Sequence, residues 1–309
     1  MTPNQIVYTV FAIVLIVALI FDLGLLSKKN KLVTIKAALW QTLLWVMLAL
    51  GFFIFLLYEE NKETALQYIS AYLMEWSLSI DNIFVFVLIF TSFKVKEQYY
   101  SRVLLVGVLM AIVFRVIFIT IGVELVERFS WILYLFGIFL LYTGYKMFIE
   151  KEEKEFNPHQ NKVYKFLNRF LPLTPDDGNG KYVIRKNGKP QYTVLFVVVV
   201  MLATIDLVFA LDSIPAVMGI SQNRLVIYTS NIFAVLGLRS LFFLLRGAVN
   251  KFKYLQQGIA IVLIIIGLKM LGEHWINQWV NKNYQVIGSL VIILLCIGGS
   301  MFFSVVKKK

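Results

Sequence analysis

Ionisable side chains inside a long apolar segment are the feature that most constrains this fold. Residues 75–90 read EWSLSIDNIFVFVLIF, which is apolar enough to cross a bilayer and yet contains Glu75, Asp81 and Asn82. A charge at bilayer depth costs about 3 kcal/mol or more, so such residues normally serve a function or pair with a partner. A similar pattern returns in residues 204–217, TIDLVFALDSIPAV.

The second segment repeats the spacing of the first. Asp206 and Asp212 are six residues apart, like the two acids of the first segment, and Ser213 follows where the first segment has its asparagine. Six residues turn about 240° around an ideal helix, so the two carboxylates of a pair would lie on different faces. The two carboxylates can converge only if the helix is locally broken; otherwise each face meets different neighbours. The sequence favours local breaks. Polar residues alternate from 75 to 81 as in extended backbone, and Pro215 removes a helical hydrogen bond.

The composition is that of a polytopic membrane protein. Hydrophobic residues make up 59% of the 309 residues and the mean hydropathy is +0.77, whereas soluble domains are roughly 45–50% apolar. The apolar runs are continuous rather than alternating, which favours helices over a transmembrane barrel. We predict an all-α fold with about nine membrane-spanning helices, near 5–26, 37–58, 65–93, 101–123, 130–149, 191–220, 226–246, 254–272 and 284–305.

The basic residues predict the orientation of these spans. The chain has a net charge of +12, and most of its Lys and Arg follow the odd-numbered spans. The other side has four: Lys62, Arg128, Arg224 and Lys282. The positive-inside rule then places the N-terminus outside and the C-terminus in the cytoplasm. The basic excess thus reports topology and attraction to anionic lipid of the bilayer, and we expect no nucleic-acid partner.

Three features recur in the same order and predict an inverted repeat. Besides the acidic pairs, Arg115 matches Arg239, and the Gly-x-Lys-Met motif at 144–147 matches that at 267–270. Each unit has three spans, so the second crosses the membrane in the opposite sense, as in many transporters. We predict a single membrane domain over 1–309, with repeat units over 65–149 and 191–272, a cytoplasmic loop over 150–190 and a final helix over 284–305.

The long loop has two recognisable parts. Apolar residues recur at helical spacing from 163 to 171 with Lys and Arg between them, which predicts an amphipathic helix on the membrane surface. Residues 182–190 predict a hairpin with Asn187-Gly188 at its turn. We interpret the loop as a structured connector, with a regulatory domain as the alternative.

The acidic segments offer a set of oxygen ligands for a metal ion. Such donors, without nearby Cys or His, suit Mg²⁺, Ca²⁺ or Mn²⁺. The surplus charge of four carboxylates can be met by Arg115 and Arg239 as counter-charges, or by protons that couple to cation movement. The alternative is a set of static salt bridges between acids and arginines. The candidate ligands are Glu75, Asp81, Asn82, Asp206, Asp212 and Ser213, with Asp22 and Asn231 as possible accessory residues.

Four motifs together resemble the TerC family of integral membrane proteins, in particular the branch that includes the Alx proteins. They are EWSLSIDN (75–82), RKNG (185–188), FALDSIPAV (209–217) and TSNIFAVLGLR (229–239). The resemblance implies a multi-pass protein of the bacterial plasma (inner) membrane that is associated with tellurite resistance and with efflux of Mn²⁺ or related cations. It also implies that Glu75, Asp81, Asn82, Asp206 and Asp212 lie in the functional centre.

The leading hypothesis is therefore a secondary transporter that exports Mn²⁺, with protons as a candidate counter-ion, no permanently bound cofactor and no enzymatic activity. Oxygen ligands suit Ca²⁺ as well as Mn²⁺, and the preference for Mn²⁺ comes from the resemblance. A metal sensor or scaffold for metal or tellurite stress, acting through 150–190, is the alternative. An intramembrane aspartyl protease is disfavoured because no Gly-x-Gly-Asp motif is present. The oligomeric state is left open.

Overall fold

The computed structural model describes residues 3–26, 33–149, 162–186, 188–246 and 254–306. These residues form eleven α-helices and one two-stranded antiparallel hairpin. The helices are α1 (Pro3–Leu26), α2 (Ile35–Glu59), α3 (Lys62–Ser92), α4 (Glu97–Arg128), α5 (Ile132–Ile149), α6 (Lys162–Phe170), α7 (Val194–Ile220), α8 (Arg224–Leu245), α9 (Leu255–Leu271), α10 (Glu273–Trp279) and α11 (Lys282–Val306), and the strands are β1 (Val183–Lys186) and β2 (Lys189–Tyr192).

The predicted all-α polytopic fold is confirmed. Among the described residues, seven helices are long and apolar enough to cross a membrane, namely α2, α3, α4, α5, α7, α8 and α11. Helices α1 and α9 contain the shorter apolar stretches Gln5–Ile20 and Gln256–Leu271. The count of nine spans and the orientation of the termini stay predictions.

The helix break expected in the first acidic segment is wrong. Helix α3 runs without interruption from Lys62 to Ser92, and its alternating polar residues are part of regular helix. Ser77 shows how a serine fits there, because its hydroxyl donates to the carbonyl of Leu73 one turn earlier, at 2.8 Å. Helix α7 is also continuous and contains Pro215 in its interior, as transmembrane helices tolerate.

The centre of the molecule is built around α8. Within the 18-residue apolar stretch of this helix, 94% of the residues are buried, far more than in the corresponding stretches of α2, α5 or α11. Helix α8 packs against α2, α3 and α4, while α7 packs against α3 and α4. Four helices, α3, α4, α7 and α8, therefore meet at the centre, and the acidic segments of α3 and α7 lie among them.

Small residues bring α5 and α9 into close contact. A Cβ on Gly267 would lie 2.8 Å from the carbonyl oxygen of Gly137, and a Cβ on Gly144 would lie 2.8 Å from that of Ala260. Such residues let membrane helices approach closely. An offset of 123 residues takes Gly144 to Gly267 and Gly137 to Ala260, so the two contacts exchange under the predicted repeat. This packing has the symmetry that an inverted repeat requires, although the domain boundaries stay predictions.

The described part of the long loop folds as expected and docks on the bundle. The amphipathic helix is α6, and the hairpin is β1–β2; Asn187 and residues 150–161 lie outside the described residues. The guanidinium of Arg102 on α4 donates to the carbonyl of Gly180 at 2.9 Å, and the Tyr182 hydroxyl donates to the carbonyl of Arg102 at 3.3 Å. Lys96, just before α4, pairs with Asp177. We call this side of the molecule the hairpin side and the opposite side the far side.

Candidate functional site

A buried arginine joins the two acidic segments. Arg115 on α4 donates from Nη1 to Glu75 Oε2 on α3 at 2.7 Å. Its Nε and Nη2 donate to the two carboxylate oxygens of Asp206 on α7, at 2.9 and 3.3 Å. Nη1 also donates to Asn231 Oδ1 on α8, at 2.7 Å. Arg115 thus binds a side chain from each of the other three central helices, and we call these four residues the central cluster.

The central cluster is shut off from solvent. Only 2% of Arg115 is exposed, and its three partners are buried to the same degree or more. Charge pairs are strong in such a low-dielectric setting, but removing the charges from water is expensive, so every remaining polar atom needs a partner. The cluster has two carboxylates for one guanidinium. Its formal charge is therefore −1.

Four polar side-chain atoms on α3 and α7 are buried without a hydrogen-bond partner in the part of the chain that the structure describes. They are Glu75 Oε1, Ser79 Oγ, Asn82 Nδ2 and Ser213 Oγ. Glu75, Ser79 and Asn82 are separated by four and three residues and so share one face of α3. Ser213 follows Asp206 by seven residues and shares a face of α7 with it. Buried polar groups are rarely left unpaired, which makes this set unusual.

Asp212 lies apart from the central cluster. It is half-buried on α7 and accepts a hydrogen bond at 3.3 Å from the Thr143 hydroxyl on α5. The cause is the spacing that the sequence already shows, because six residues of unbroken helix turn Asp212 far from the face of Asp206. The structure therefore brings Glu75 and Asp206 together and directs Asp212 to a different neighbour.

The other candidate residues fall into three groups. Asp22 and Asp81 lie on α1 and α3, but their side chains lie outside the described residues. Arg239 is buried on α8, eight residues beyond Asn231 and thus about 12 Å along the helix axis. Asn231 is in direct contact with Arg115, and its Nδ2 donates to the carbonyl of Ile227 at 3.3 Å. Its accessory role stays a prediction.

The described residues contain no group of three or more His, Cys, Asp or Glu side chains that could hold a metal ion. This agrees with the separation of Asp212 from the cluster, and the side chain of Asp81 is not among those described. Any cation at the centre would therefore rely on Glu75 and Asp206 together with neutral oxygens. Ser79 is not among the oxygen ligands predicted from the sequence, although the sequence shows that it lies four residues after Glu75 and three before Asn82.

Cavities open at both ends of the two helices that carry the acidic segments. On the far side, about 400 Å³ is lined by polar residues that include Glu63 and Gln67 of α3 and Ser221 after α7. On the hairpin side, about 580 Å³ is lined by residues that include Lys96 and Asp177. A small cleft beside Asp206, between α3, α4, α7 and α8, has no room for a water molecule. The centre is closed between two open ends.

The ion pair between Lys96 and Asp177 holds the loop beside the cavity on the hairpin side. Its hydrogen bond lowers the pKa of Asp177 and raises the pKa of Lys96 from their ordinary values. Asp177 also accepts a backbone hydrogen bond from Asn179 at 3.1 Å, which fixes the turn before β1. The loop is thus attached at the point where the chain passes from α3 to α4.

Comparison with known proteins identifies the family. The family described as "Integral membrane protein TerC family" matches residues 60–309. An "Uncharacterized membrane protein" of Rickettsia bellii (strain RML369-C) is 36% identical over 301 residues, covering 97% of each chain. The "Uncharacterized membrane protein STKORF319" of Myxococcus xanthus is 40% identical over 299 residues, covering 97% of this chain and 92% of that one.

A further relative has a more specific description. The "Putative membrane-bound redox modulator Alx" of Escherichia coli (strain K12) is 38% identical over 209 residues, covering 68% of this chain and 65% of that one. No solved structure matches this chain. The chain belongs to the TerC family of integral membrane proteins.

Proposed function

We propose that this TerC family protein is a secondary transporter of the bacterial plasma membrane that exports Mn²⁺ or a related divalent cation through the central cluster. Protons are the candidate counter-ion. The observation that carries the proposal is the unpaired carboxylate oxygen of Glu75, buried in a cluster with formal charge −1.

The charge of the cluster favours a cationic occupant. Arg115 compensates one of the two carboxylates, and Glu75 Oε1 is buried with no donor from the residues that the structure describes. An uncompensated charge at this depth is unfavourable, so the cluster is stabilised by any additional positive charge that reaches it. A proton or a metal cation would serve, and a site that accepts either one in turn has the basic property of an exchanger.

The donor chemistry favours a hard divalent cation. Among the described residues, the unpaired oxygens on α3 are a carboxylate oxygen of Glu75 and the hydroxyl of Ser79 one turn later. The unpaired hydroxyl of Ser213 follows Asp206 by seven residues on α7 and lies toward the far side. Oxygen donors of this kind suit Mn²⁺, Mg²⁺ and Ca²⁺ better than metals that prefer thiolates. The preference for Mn²⁺ among them rests on the likeness to the family.

Arg115 acts in this proposal as a tethered cation that competes with the substrate. When the site is empty, its guanidinium neutralises part of the charge of Glu75 and Asp206. A divalent cation that binds Glu75 weakens the ion pair between Arg115 and Glu75. When Arg115 binds Glu75 again, it favours release of the cation. The competition keeps affinity moderate, which a transporter needs because its substrate must also leave.

The cavities fit a path with a closed centre. Gln67, at the far-side cavity, precedes Glu75 on α3 by eight residues, about 12 Å along the axis. The cavity on the hairpin side lies at the other end of the same helix. Transport would require these ends to open to the cluster in turn, as expected when two repeats rock around a central site.

A second candidate is a membrane sensor that acts through the long loop. It is favoured by the attachment of the loop to the α3–α4 connection through Lys96 and Arg102. A cation bound at Glu75 could then be reported through α3 to the loop. Redox modulation, named for the E. coli relative, would need a partner thiol or another redox group if it used thiol exchange, because this sequence has one cysteine.

Mn²⁺ flux into or out of proteoliposomes tests the proposal. We expect a gradient to drive flux in the wild type with an opposite change of internal pH, and we expect Glu75→Gln and Asp206→Asn to lower the flux at least about tenfold because each removes a buried ligand charge. Glu124→Gln is the matched control, since Glu124 is half-exposed near the end of α4. A wild-type protein that moves no Mn²⁺ under any gradient would contradict the transporter and leave the sensor.

A further inference from the structure

Ser79 differs from the other hydroxyl residues of the same helix. Ser70, Ser77 and Thr91 on α3 each donate to the carbonyl four residues earlier, at 2.8 Å. Ser79 is buried as deeply as Ser77, with 1% and 2% exposed, but its Oγ has no hydrogen-bond partner among the described residues.

The missing hydrogen bond is informative because a partner lies close by. A helical serine commonly bonds to the carbonyl one turn earlier, which for Ser79 belongs to Glu75. The hydroxyl instead makes no hydrogen bond to the described residues, in a region where an unpaired polar atom is unfavourable. An occupant that is absent from the described chain would remove this penalty.

The neighbours of Ser79 indicate what that occupant is. Ser79 lies one turn after Glu75 on the same face of α3, and Glu75 also has a buried atom without a partner among the described residues. Glu75 Oε1 is a carboxylate oxygen in a cluster with an uncompensated negative charge. A cation held by Glu75 would therefore have the Ser79 hydroxyl available as its next oxygen.

We propose that Ser79 Oγ is a direct ligand of the cation that Glu75 binds, and that it sets the preference of the site for hard metals. This inference rests on the proposed transport function and adds a residue to its site. It also makes the site asymmetric. The offset of 131 residues that relates Glu75 to Asp206 relates Ser79 to Ala210, which has no hydroxyl.

The first test compares Ser79→Ala with Ser77→Ala in the full-length purified protein. Binding of Mn²⁺ is measured by titration calorimetry and by the Mn²⁺-induced rise in melting temperature. We expect Ser79→Ala to weaken Mn²⁺ binding about tenfold, the effect of losing one oxygen ligand, and Ser77→Ala to stay within about twofold. Without Mn²⁺, Ser79→Ala should melt no lower than the wild type, because it removes an unpaired hydroxyl.

The second test asks whether position 79 touches the metal. A thiolate ligand favours softer metals, so Ser79→Cys should raise the affinity for Cd²⁺ relative to Mn²⁺ by about tenfold or more, and Ser77→Cys should not. Cys296 is common to both variants, so their difference reports position 79 alone.

The outcomes distinguish failure of the proposed transport function from failure of the role assigned to Ser79. If the wild type binds and transports no Mn²⁺, the proposed function fails. If the wild type binds Mn²⁺ but Ser79→Ala binds it as Ser77→Ala does, or if Ser79→Cys leaves the Cd²⁺ preference unchanged, the assignment of Ser79 as a ligand is wrong while the transporter stands.

Discussion

At the scale of single residues, the molecule depends on one guanidinium held by two carboxylates. Arg115 binds Asp206 through two nitrogens and Glu75 and Asn231 through a third, a geometry that a planar, always charged group can satisfy. A lysine ammonium is a compact point charge and lacks this fork. The arginine is therefore needed both for its charge and for its shape.

Replacing Arg115 tests this dependence. We expect Arg115→Gln to destabilise the protein by about 3–5 kcal/mol, because it leaves two buried carboxylates without a cation. Arg115→Lys should recover only part of this loss. Thermal unfolding in detergent measures the effect, with Arg128→Gln as the control because Arg128 is exposed and pairs with Glu124. Equal melting temperatures for the Arg115 and Arg128 variants would contradict the account.

At the scale of helices, the close crossing of α5 and α9 supports the arrangement around the site. Gly144 approaches the backbone of Ala260, where an added Cβ would lie 2.8 Å from the carbonyl oxygen. Helix α5 also carries Thr143, which donates to Asp212 on α7. A change in the α5–α9 crossing should therefore reach α7.

A larger residue at this crossing provides a test. Gly144→Val should lower stability by about 1–3 kcal/mol or more, since overpacking forces the two helices apart. Gly51→Val on α2 is the control, because a Cβ added there would meet no atom within 4 Å apart from those of its own stretch of helix. Thermal unfolding compares the two variants. The crossing is unimportant if both variants melt alike.

The attachment of the loop should be insensitive to pH in the physiological range. The lowered pKa of Asp177 stabilises docking above about pH 4 and this effect fades as pH falls through the lowered value, while the raised pKa of Lys96 stabilises docking below about pH 10. We expect hydrogen-exchange protection factors at Gly180 and Lys181 to stay constant between about pH 5 and 9. Lys96→Ala should lower them and Lys165→Ala should not; unchanged protection in Lys96→Ala would show that the pair does not hold the loop.

Much of this organisation could be predicted from the sequence, for identifiable reasons. Long apolar runs predict the helices, and the Asn187-Gly188 turn signal within residues 182–190 predicts the hairpin. The pairing of Arg115 with acids follows from the absence of other charge partners at that depth. The unbroken course of α3 could not be predicted from a polar alternation that a helix also accepts. The role of Asn231 depends on how α8 packs against α4, which no local pattern encodes.

At the scale of the whole molecule, two matched helices bring acidic segments to a closed centre between two cavities. The helices α3 and α7 carry the carboxylates, α4 and α8 supply Arg115 and Asn231, and the cavities lie at the ends of α3 and α7. Such an arrangement suits a site that is reached from either side in turn. We infer above all that a bound divalent cation compensates the excess negative charge of the central cluster.

Equilibrium binding of Mn²⁺ to the purified protein tests this claim most directly. Titration calorimetry, with electron paramagnetic resonance to count the bound Mn²⁺, should detect a site in the wild type and in the exposed control Glu124→Gln. The account predicts that Glu75→Gln loses this site while its melting temperature without Mn²⁺ stays close to that of the wild type, because the unpaired oxygen is no longer charged. Mn²⁺ binding that is equally tight in Glu75→Gln and in the wild type would contradict it.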